Sequence, residues 1–254
     1  MTPAARPTVL LLHGQPGGTA DWAGVITGVD GRADVLAVDR PGWDGVTRAR
    51  DLAGNAGAAL AALDQRGVER AVIVGHSLGA AVAAWLAATR PDRVAALVLA
   101  APAANLAALY ALDRWMATPV AGDLAAAAAL GGLGLALAVA PVRRRIAGAT
   151  RLEEGYLRTA GTAVRRPWAW RAYAAEQRAL VRDLPELERR LPAISAPTTI
   201  IAGAHDRVVP ARATLRLSGQ IPGARLEHSA VAGHLIPQQD PAVVAAAILT
   251  ALNG

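Results

Sequence analysis

The chain has 254 residues, of which 53% are hydrophobic, and carries a formal net charge of +6. Its length suits one α/β domain with a large core, and the absence of cysteine excludes disulfides, thiolate metal sites and a cysteine nucleophile. All 26 basic residues are arginine, which we interpret as compositional drift, so the charge alone does not indicate a polyanionic partner.

Short apolar runs bounded by glycine, proline or aspartate predict six β-strands. In chain order they are Thr8–Leu12, Asp34–Val38, Ala71–Val74, Val94–Ala100, Thr198–Ala202 and Leu226–Val231. The predicted helices of the core are Asp51–Arg66, Leu78–Thr89, Ala211–Gln220 and Pro241–Leu252. Strands that alternate with helices favour a doubly wound, mainly parallel α/β sheet covered by helices on both faces.

The alternation stops after Pro102 and resumes at Ala196. A structureless connection of this length is improbable in a compact fold, so residues 103–195 are predicted to form an inserted α-helical cap between core segments 1–102 and 196–254. Residues 103–190 contain 13 arginines and 8 acidic residues, a net +5, whereas the remainder contains 13 and 12, a net +1. The excess charge therefore belongs to the cap.

One part of the cap imitates a membrane span. Leu124–Val142 is 19 residues without a charge and is followed by three arginines, Arg143–Arg145. Its alanine and glycine content, its Gly131-Gly132 pair and Pro141 near its end favour a broken helix within the cap. We therefore expect no membrane span and no membrane contact, with a mobile apolar lid that touches lipid as the alternative.

The pentapeptide Gly75–Gly79, Gly-His-Ser-Leu-Gly, lies between a predicted strand and an alanine-rich helix. This is the setting of a nucleophile elbow, in which Ser77 occupies a sharp turn and the glycines two residues to either side leave room for it to close. The helix N-terminus then supplies free N–H groups for developing negative charge. The alternative is an ordinary glycine-rich turn.

A second glycine-rich loop, His13–Gly18, follows the first strand, where an oxyanion-hole loop would be needed. The backbone N–H groups of Gln15 and Leu78 would together form a hole with two donors. We interpret His13 as a structural residue that braces the loop.

Together these motifs resemble the α/β-hydrolase superfamily, in the branch whose helical cap is inserted between the sixth and seventh of the usual eight strands. The resemblance covers nearly the whole chain outside the cap and implies the order nucleophile, acid, histidine. It assigns the acid to Asp206, in the loop Gly203–Pro210, and the base to His234, which follows Ala232-Gly233. Asp240 is the rival acid, but Asp240-Pro241 is typical of a helix N-terminus.

The chain departs from the family pattern in two places. Only about seven residues precede the first apolar run, so the usual antiparallel hairpin is predicted to be missing and the sheet to be wholly parallel. The loop Asp39–Gly45 resembles the family's Asp-x-x-Gly-x-Gly loop with one inserted residue, and we interpret Asp39 and Arg40 as structural. His76 is expected to point away from the nucleophile.

The resemblance implies hydrolysis of a carboxylic ester of a small to medium apolar substrate through an acyl-enzyme, with catalytic residues Ser77, Asp206 and His234 and no cofactor or metal. By position, the predicted substrate contacts are Trp22, Trp43 and Leu235. Cofactor-free haloperoxidase or perhydrolase, thioesterase, lactonase, amidase and C–C bond hydrolase activities remain open, as does a non-catalytic ligand receptor.

Other partners are not indicated. With no lysine and no recognition motif beside Arg143–Arg145, nucleic-acid binding is not expected. The residues before the first strand are too few and too weakly apolar for a secretory signal peptide, so a cytoplasmic protein is expected. The sequence leaves the oligomeric state open.

Overall fold

Six parallel strands form the centre of the computed structural model, which describes residues 6–253. The strands are β1 (Thr8–Leu12), β2 (Asp34–Val38), β3 (Ala71–His76), β4 (Val94–Ala100), β5 (Thr198–Gly203) and β6 (Arg225–Ser229). They pair in the order β2-β1-β3-β4-β5-β6, and each of the five pairings within the described residues is parallel. The prediction of a six-stranded, wholly parallel sheet is confirmed.

Eleven α-helices lie in the described part of the chain. They are α1 (Ala23–Gly28), α2 (Leu52–Asp64), α3 (Leu78–Thr89), α4 (Ala111–Met116), α5 (Ala121–Ala138), α6 (Ala140–Thr150), α7 (Glu154–Val164), α8 (Pro167–Arg190), α9 (Ala211–Gln220), α10 (Ile236–Gln239) and α11 (Pro241–Leu252). The short α1 has glycine at its C-terminal end and was not predicted. Of the four predicted core helices, α3, α9 and α11 have the expected bounds, and α2 is shorter than the predicted Asp51–Arg66.

The four central strands β1, β3, β4 and β5 are buried on both faces, which explains why they are largely apolar, whereas the edge strand β6 is polar and partly exposed. Side chains alternate between the faces along β1: Leu10 and Leu12 belong to the apolar cluster that contains α2 and α3, whereas Val9 and Leu11 belong to the cluster that contains α1 and α11. The same alternation divides the core into two apolar clusters. Helices on both faces leave only the strand ends free to carry a site.

The cap comprises α4 to α8, and its last helix also belongs to the core. In the second half of α8, Leu180, Leu184 and Leu187 join the apolar cluster that contains α3. The first half of α8 instead contributes to the wall of the cavity under the cap, through Trp168 and Tyr173. The predicted cap, residues 103–195, therefore shares one helix with the core, and this helix connects the two regions.

The apolar segment of the cap, Leu124–Val142, is broken as predicted, but the break lies at Val139, where α5 ends and α6 begins, and not at Gly131-Gly132. Helix α5 runs without interruption through Gly131 and Gly132 and ends before Val139. A glycine in a helix costs only about 1 kcal/mol, and α5 offsets that cost by packing against α7 and α8. Among residues 6–253, α5 alone is long and apolar enough to cross a membrane by length and composition.

Candidate active site

Ser77 lies at the turn between β3 and α3, with the left-handed backbone angles φ 54° and ψ −118°. Few residues other than glycine adopt this conformation without strain. Both flanking glycines are required sterically, because a Cβ on Gly79 would meet the carbonyl oxygens of Leu12 and His13, and one on Gly75 would meet the backbone of Gly79 and Ala80. The turn places the Ser77 hydroxyl at the carboxyl edge of the sheet.

Ser77, His234 and Asp206 form one hydrogen-bonded chain at this edge. His234 Nε2 lies 2.9 Å from Ser77 Oγ, and His234 Nδ1 lies 3.0 Å from Asp206 Oδ2. The backbone N–H groups of Val208 and Val209 donate to Asp206 Oδ1 at 2.8 and 2.9 Å. Asp240 is elsewhere, accepting a hydrogen bond from the Ser229 hydroxyl at 2.6 Å.

The environment of Asp206 favours its ionised form. Partial burial acts to raise the pKa of this carboxyl, but the hydrogen bond to His234 and the N–H groups of Val208 and Val209 outweigh burial and hold the pKa below its usual value. An ionised Asp206 accepts a hydrogen bond from the His234 Nδ1–H, which leaves Nε2 free to accept a hydrogen bond from Ser77 Oγ.

His76 contacts the backbone of the histidine loop, a contact that the sequence did not reveal. Its Nε2 lies 2.8 Å from the carbonyl oxygen of His234, to which it donates. Burial lowers the pKa of His76 to about 3, so its imidazole is neutral and carries its proton on Nε2. His76 thus anchors the loop that carries His234, and it also lines the cavity beside Ser77.

The two predicted oxyanion donors, Gln15 and Leu78, both line the cavity beside Ser77. Leu78 is the first residue of α3, where N–H groups have no partner within the helix. Within residues 6–253, neither backbone N–H donates a hydrogen bond. The Gln15 side chain is held by the cap, since its Nε2 donates to Gln177 Oε1 on α8 at 2.8 Å.

A cavity of about 740 Å³ lies between the strand ends and the cap. Its cap wall is largely apolar, with Leu109, Met116, Leu130, Leu137, Leu157 and Val164 among its residues. The charged groups in its wall are all carboxylates, from Asp21, Asp39 and Asp113, and no arginine of residues 6–253 lines it. The cavity wall is therefore largely apolar, and its carboxylates are its only charged groups among the described residues.

A polar group interrupts the apolar wall at Tyr156 of α7. The Tyr156 hydroxyl donates to Asp21 Oδ1 at 3.0 Å and accepts from Gln238 Nε2 at 3.1 Å. Burial raises the pKa of Asp21, while the N–H of Gly18 and the Tyr156 hydroxyl act in the opposite direction. These bonds connect α7 of the cap to the loop after β1.

Two of the three predicted substrate contacts lie in the cavity wall. Trp43 and Leu235 line it, and the Trp43 indole N–H donates to Glu176 Oε2 at 2.7 Å. Trp22 does not line it, which corrects that prediction. Its side chain is fully buried in the cluster with Val9, Leu11 and α11, because the short helical turn that contains it packs against the opposite face of the sheet.

Known proteins resemble this chain along most of its length. A sequence model described as the alpha/beta hydrolase fold matches residues 7–241. The chain is 30% identical over 247 residues to a 2-hydroxy-6-oxononadienedioate/2-hydroxy-6-oxononatrienedioate hydrolase from Cupriavidus pinatubonensis, a match that covers 92% of this chain and 82% of that protein.

Two further comparisons are narrower. A protein of the same name from Paraburkholderia phymatum is 41% identical over 108 residues, which span 39% of this chain and only 37% of the relative. A solved thermophilic esterase from Thermogutta terrifontis matches with a TM-score of 0.75 over 98% of this chain and 90% of its own. Its identity of 21% shows a shared fold and nothing finer.

Proposed function

The chain belongs to the alpha/beta hydrolase fold family, and on that premise we propose that it is a serine hydrolase that cleaves carboxylic esters of small to medium, uncharged, apolar substrates. The observation that carries this choice is the wall of the 740 Å³ cavity over Ser77, which is apolar apart from a few polar groups and charged only by carboxylates. Such a wall favours neutral acyl and alcohol groups over anions.

The proposed reaction uses the hydrogen-bonded chain at the edge of the sheet. Ser77 Oγ attacks the ester carbonyl while His234 Nε2 takes its proton, and Asp206 holds the imidazole in the required tautomer. The N–H groups of Gln15 and Leu78 stabilise the oxyanion. His234 then protonates the leaving alcohol and activates the water that releases the acid from the acyl-enzyme.

Cleavage of a C–C bond is the second candidate, because relatives are named as hydrolases of a dienedioate. That substrate carries two carboxylates. In this chain they would enter a cavity whose charged lining residues are Asp21, Asp39 and Asp113, with no arginine of the described residues to pair with them. Burying unpaired charges opposite like charges is unfavourable, so the cavity wall argues against this substrate.

A matched substrate pair tests the proposal. We expect the protein to react with a fluorophosphonate probe at Ser77 and to hydrolyse p-nitrophenyl butyrate with a kcat/KM at least about tenfold higher than that for p-nitrophenyl hemisuccinate, because like-charge contacts cost a kcal/mol or more. Ser77→Ala should abolish labelling and turnover. Ser218→Ala, at a hydroxyl on α9 that bonds only its own helix, is the control.

Two results would contradict the proposal. One is the absence of both probe labelling and ester turnover in the folded wild-type protein. The other is faster turnover of the dienedioate than of any neutral ester, which would establish the second candidate instead. Ligand-induced thermal stabilisation without turnover would indicate a receptor of the same fold.

The cytoplasmic location and the absence of contact with membranes and nucleic acid remain predictions. Fractionation of cells that express the tagged full chain would test the first two, and a DNA-binding assay at physiological salt would test the third.

A further inference from the structure

The peptide group between Gly14 and Gln15 lies beside Ser77, and hydrogen bonds to the Gly14 carbonyl oxygen hold this peptide in place. A Cβ built on Gly14 would lie 3.1 Å from Ser77 Cβ, so this peptide runs directly against the serine. Its carbonyl oxygen accepts from Arg40 Nη2 at 2.9 Å and from His13 Nδ1 at 2.7 Å. Because a trans peptide is planar with its C=O and N–H opposed, whatever holds the Gly14 carbonyl also sets the direction of the Gln15 N–H.

Three hydrogen bonds from Arg40 to His13 and Gly14 hold its side chain and backbone against the loop His13–Gly18. Its Nε donates to the His13 carbonyl at 2.9 Å, and its backbone N–H donates to His13 Nε2 at 3.0 Å. The second bond leaves the His13 proton on Nδ1, which is the atom that donates to Gly14. The guanidinium is a rigid planar fork, so bonds to two successive carbonyls fix the loop in one orientation.

The partner of Arg40 comes from the cap. Glu176 on α8 pairs with both terminal nitrogens of Arg40, with Nη2 to Oε2 at 3.2 Å, and each side chain is only 1% exposed. The next residue, Gln177, accepts from the Gln15 side chain at 2.8 Å. Adjacent residues of one cap helix thus hold the proposed oxyanion loop on both sides of the Gln15 N–H.

We propose that Arg40, held by Glu176, is a positioning residue that orients and polarises the Gly14–Gln15 peptide so that the Gln15 N–H is a preorganised donor to the oxyanion. A cation at the carbonyl end of a peptide draws electron density from it and strengthens the hydrogen bond that its N–H donates. A donor fixed before the reaction needs no reorganisation when charge develops on the substrate. This inference rests on the proposed ester hydrolysis.

The contrary view is that the buried pair serves stability alone. Removing one partner of such a pair leaves a buried charge uncompensated and destabilises the fold, whereas replacing both partners by neutral residues is often tolerated. The double variant Arg40→Met/Glu176→Gln therefore separates the two roles. Its glutamine keeps an oxygen that can accept from the Trp43 indole.

The experiment compares Arg40→Met, the double variant and a matched control, Arg93→Met. Arg93 is also largely buried and donates to the backbone carbonyls of Val68 and Glu69, but it lies at the opposite edge of the sheet, just before β4. Active protein is counted by end-point labelling with the fluorophosphonate, so that loss of folded material does not count as loss of rate. Steady-state kinetics then use p-nitrophenyl butyrate.

A pair of ketones reports on the oxyanion hole directly. An aryl trifluoromethyl ketone adds to the serine and places an oxyanion in the hole, whereas the matched methyl ketone occupies the cavity without adding. In Arg40→Met and in the double variant, we expect kcat to fall about 10- to 100-fold, less than the about 100- to 1000-fold loss that follows removal of a whole oxyanion donor, with KM within about threefold of wild type. Affinity for the trifluoromethyl ketone should fall in parallel and that for the methyl ketone should not.

Three results would overturn the inference. In the first, the double variant regains the wild-type melting temperature and the wild-type kcat together, which would make the pair purely structural. In the second, affinity for both ketones falls equally, which would indicate a disordered cavity. In the third, the wild type shows no labelling and no turnover, so that the proposed function fails first and this inference fails with it. If Arg40→Met alone does not fold, the double variant decides between the roles.

Discussion

The two walls of the cavity are built from different chemistry. The core wall carries Ser77 and His234 on loops that follow strands, within hydrogen-bonding distance of one another. The cap wall consists largely of aliphatic side chains from α5 and α7, such as Leu130 and Leu157. The difference implies that changes in the core wall should alter the rate of the chemical step, whereas changes in the cap wall should alter which substrate fits. Glu176, Gln177 and Tyr156 depart from this division, since these cap residues bond to side chains of core loops.

The inner and outer surfaces of the cap differ as well. The cap segment carries 13 arginines and a net charge of +5 across residues 103–190, yet no arginine of the described residues lines the cavity. Several pair with acidic neighbours on the outside, as Arg143 does with Glu154 and Arg178 with Asp123. The charge of the segment therefore does not predict the charge of the substrate.

The largest predicted effect lies in the core wall. Asp206→Asn should lower kcat by about 10⁴-fold, because an amide can hold His234 in the wrong tautomer while leaving the site's shape intact. Asp240→Asn is the control, since that side chain bonds to Ser229 and does not contact His234. Steady-state kinetics on p-nitrophenyl butyrate provide the measurement. Equal losses in the two variants would remove the distinction between the two acids.

The next effect distinguishes two tryptophans. Trp22→Ala should lower the free energy of unfolding by about 3–5 kcal/mol, because its side chain is fully buried beneath the sheet, and should leave chain-length preference unchanged. Trp43→Ala should instead raise relative activity on longer esters by enlarging the cavity. Chemical denaturation and an ester series measure both. A change in chain-length preference in Trp22→Ala would instead indicate that Trp22 contacts the substrate.

A third prediction concerns pH and the anchor of the histidine loop. The pKa of His76 is about 3 in the folded protein against the usual 6.5, so between these values only the unfolded chain binds the proton. The stability that His76 contributes is present above about pH 6.5 and is lost as the pH falls toward 3, by up to about 1.4 kcal/mol per unit.

His76→Gln removes this titration while keeping a side-chain N–H that can donate to the His234 carbonyl. Denaturation curves at several pH values should show a shallower loss of stability between pH 6.5 and about pH 4 than in the wild type. His228→Gln, the same substitution at an exposed histidine on β6, is the control. Parallel curves for His76→Gln and wild type would mean that His76 is protonated in the folded protein.

The smallest predicted effect belongs to the cap wall. Leu130 on α5 is buried and lines the cavity, so the larger side chain of Leu130→Trp should shorten the cavity. We expect kcat/KM for long-chain esters to fall by about tenfold, a typical value for the loss of space for one or two methylene groups. Activity on an acetyl ester should change little. Leu135→Trp, on the exposed side of the same helix, is the matched control. Equal losses on short and long esters would show that the cap acts on the chemical step.

Local sequence was sufficient for the parts of the site that lie within a few residues of a strand end. Gly75–Gly79 and the loops of Asp206 and His234 each follow an apolar run, and parallel strands bring their carboxyl ends to one edge. The predictions failed where packing between segments distant in sequence determines where a side chain lies or how far a helix extends. Trp22 lies close in sequence to the oxyanion loop but turns to the opposite face, and α5 remains one helix because α7 and α8 cover it.

The sequence by itself determined the six parallel strands, their alternation with helices and the order of Ser77, Asp206 and His234, because apolar periodicity and glycine turns act over short distances. Only the tertiary structure decided that Arg40 and Glu176, 136 positions apart, form a buried ion pair behind the proposed oxyanion loop. It also decided that no arginine of the described part of the cap lines the cavity. Such contacts depend on how α8 crosses from the cap into the core, and no local pattern encodes that path.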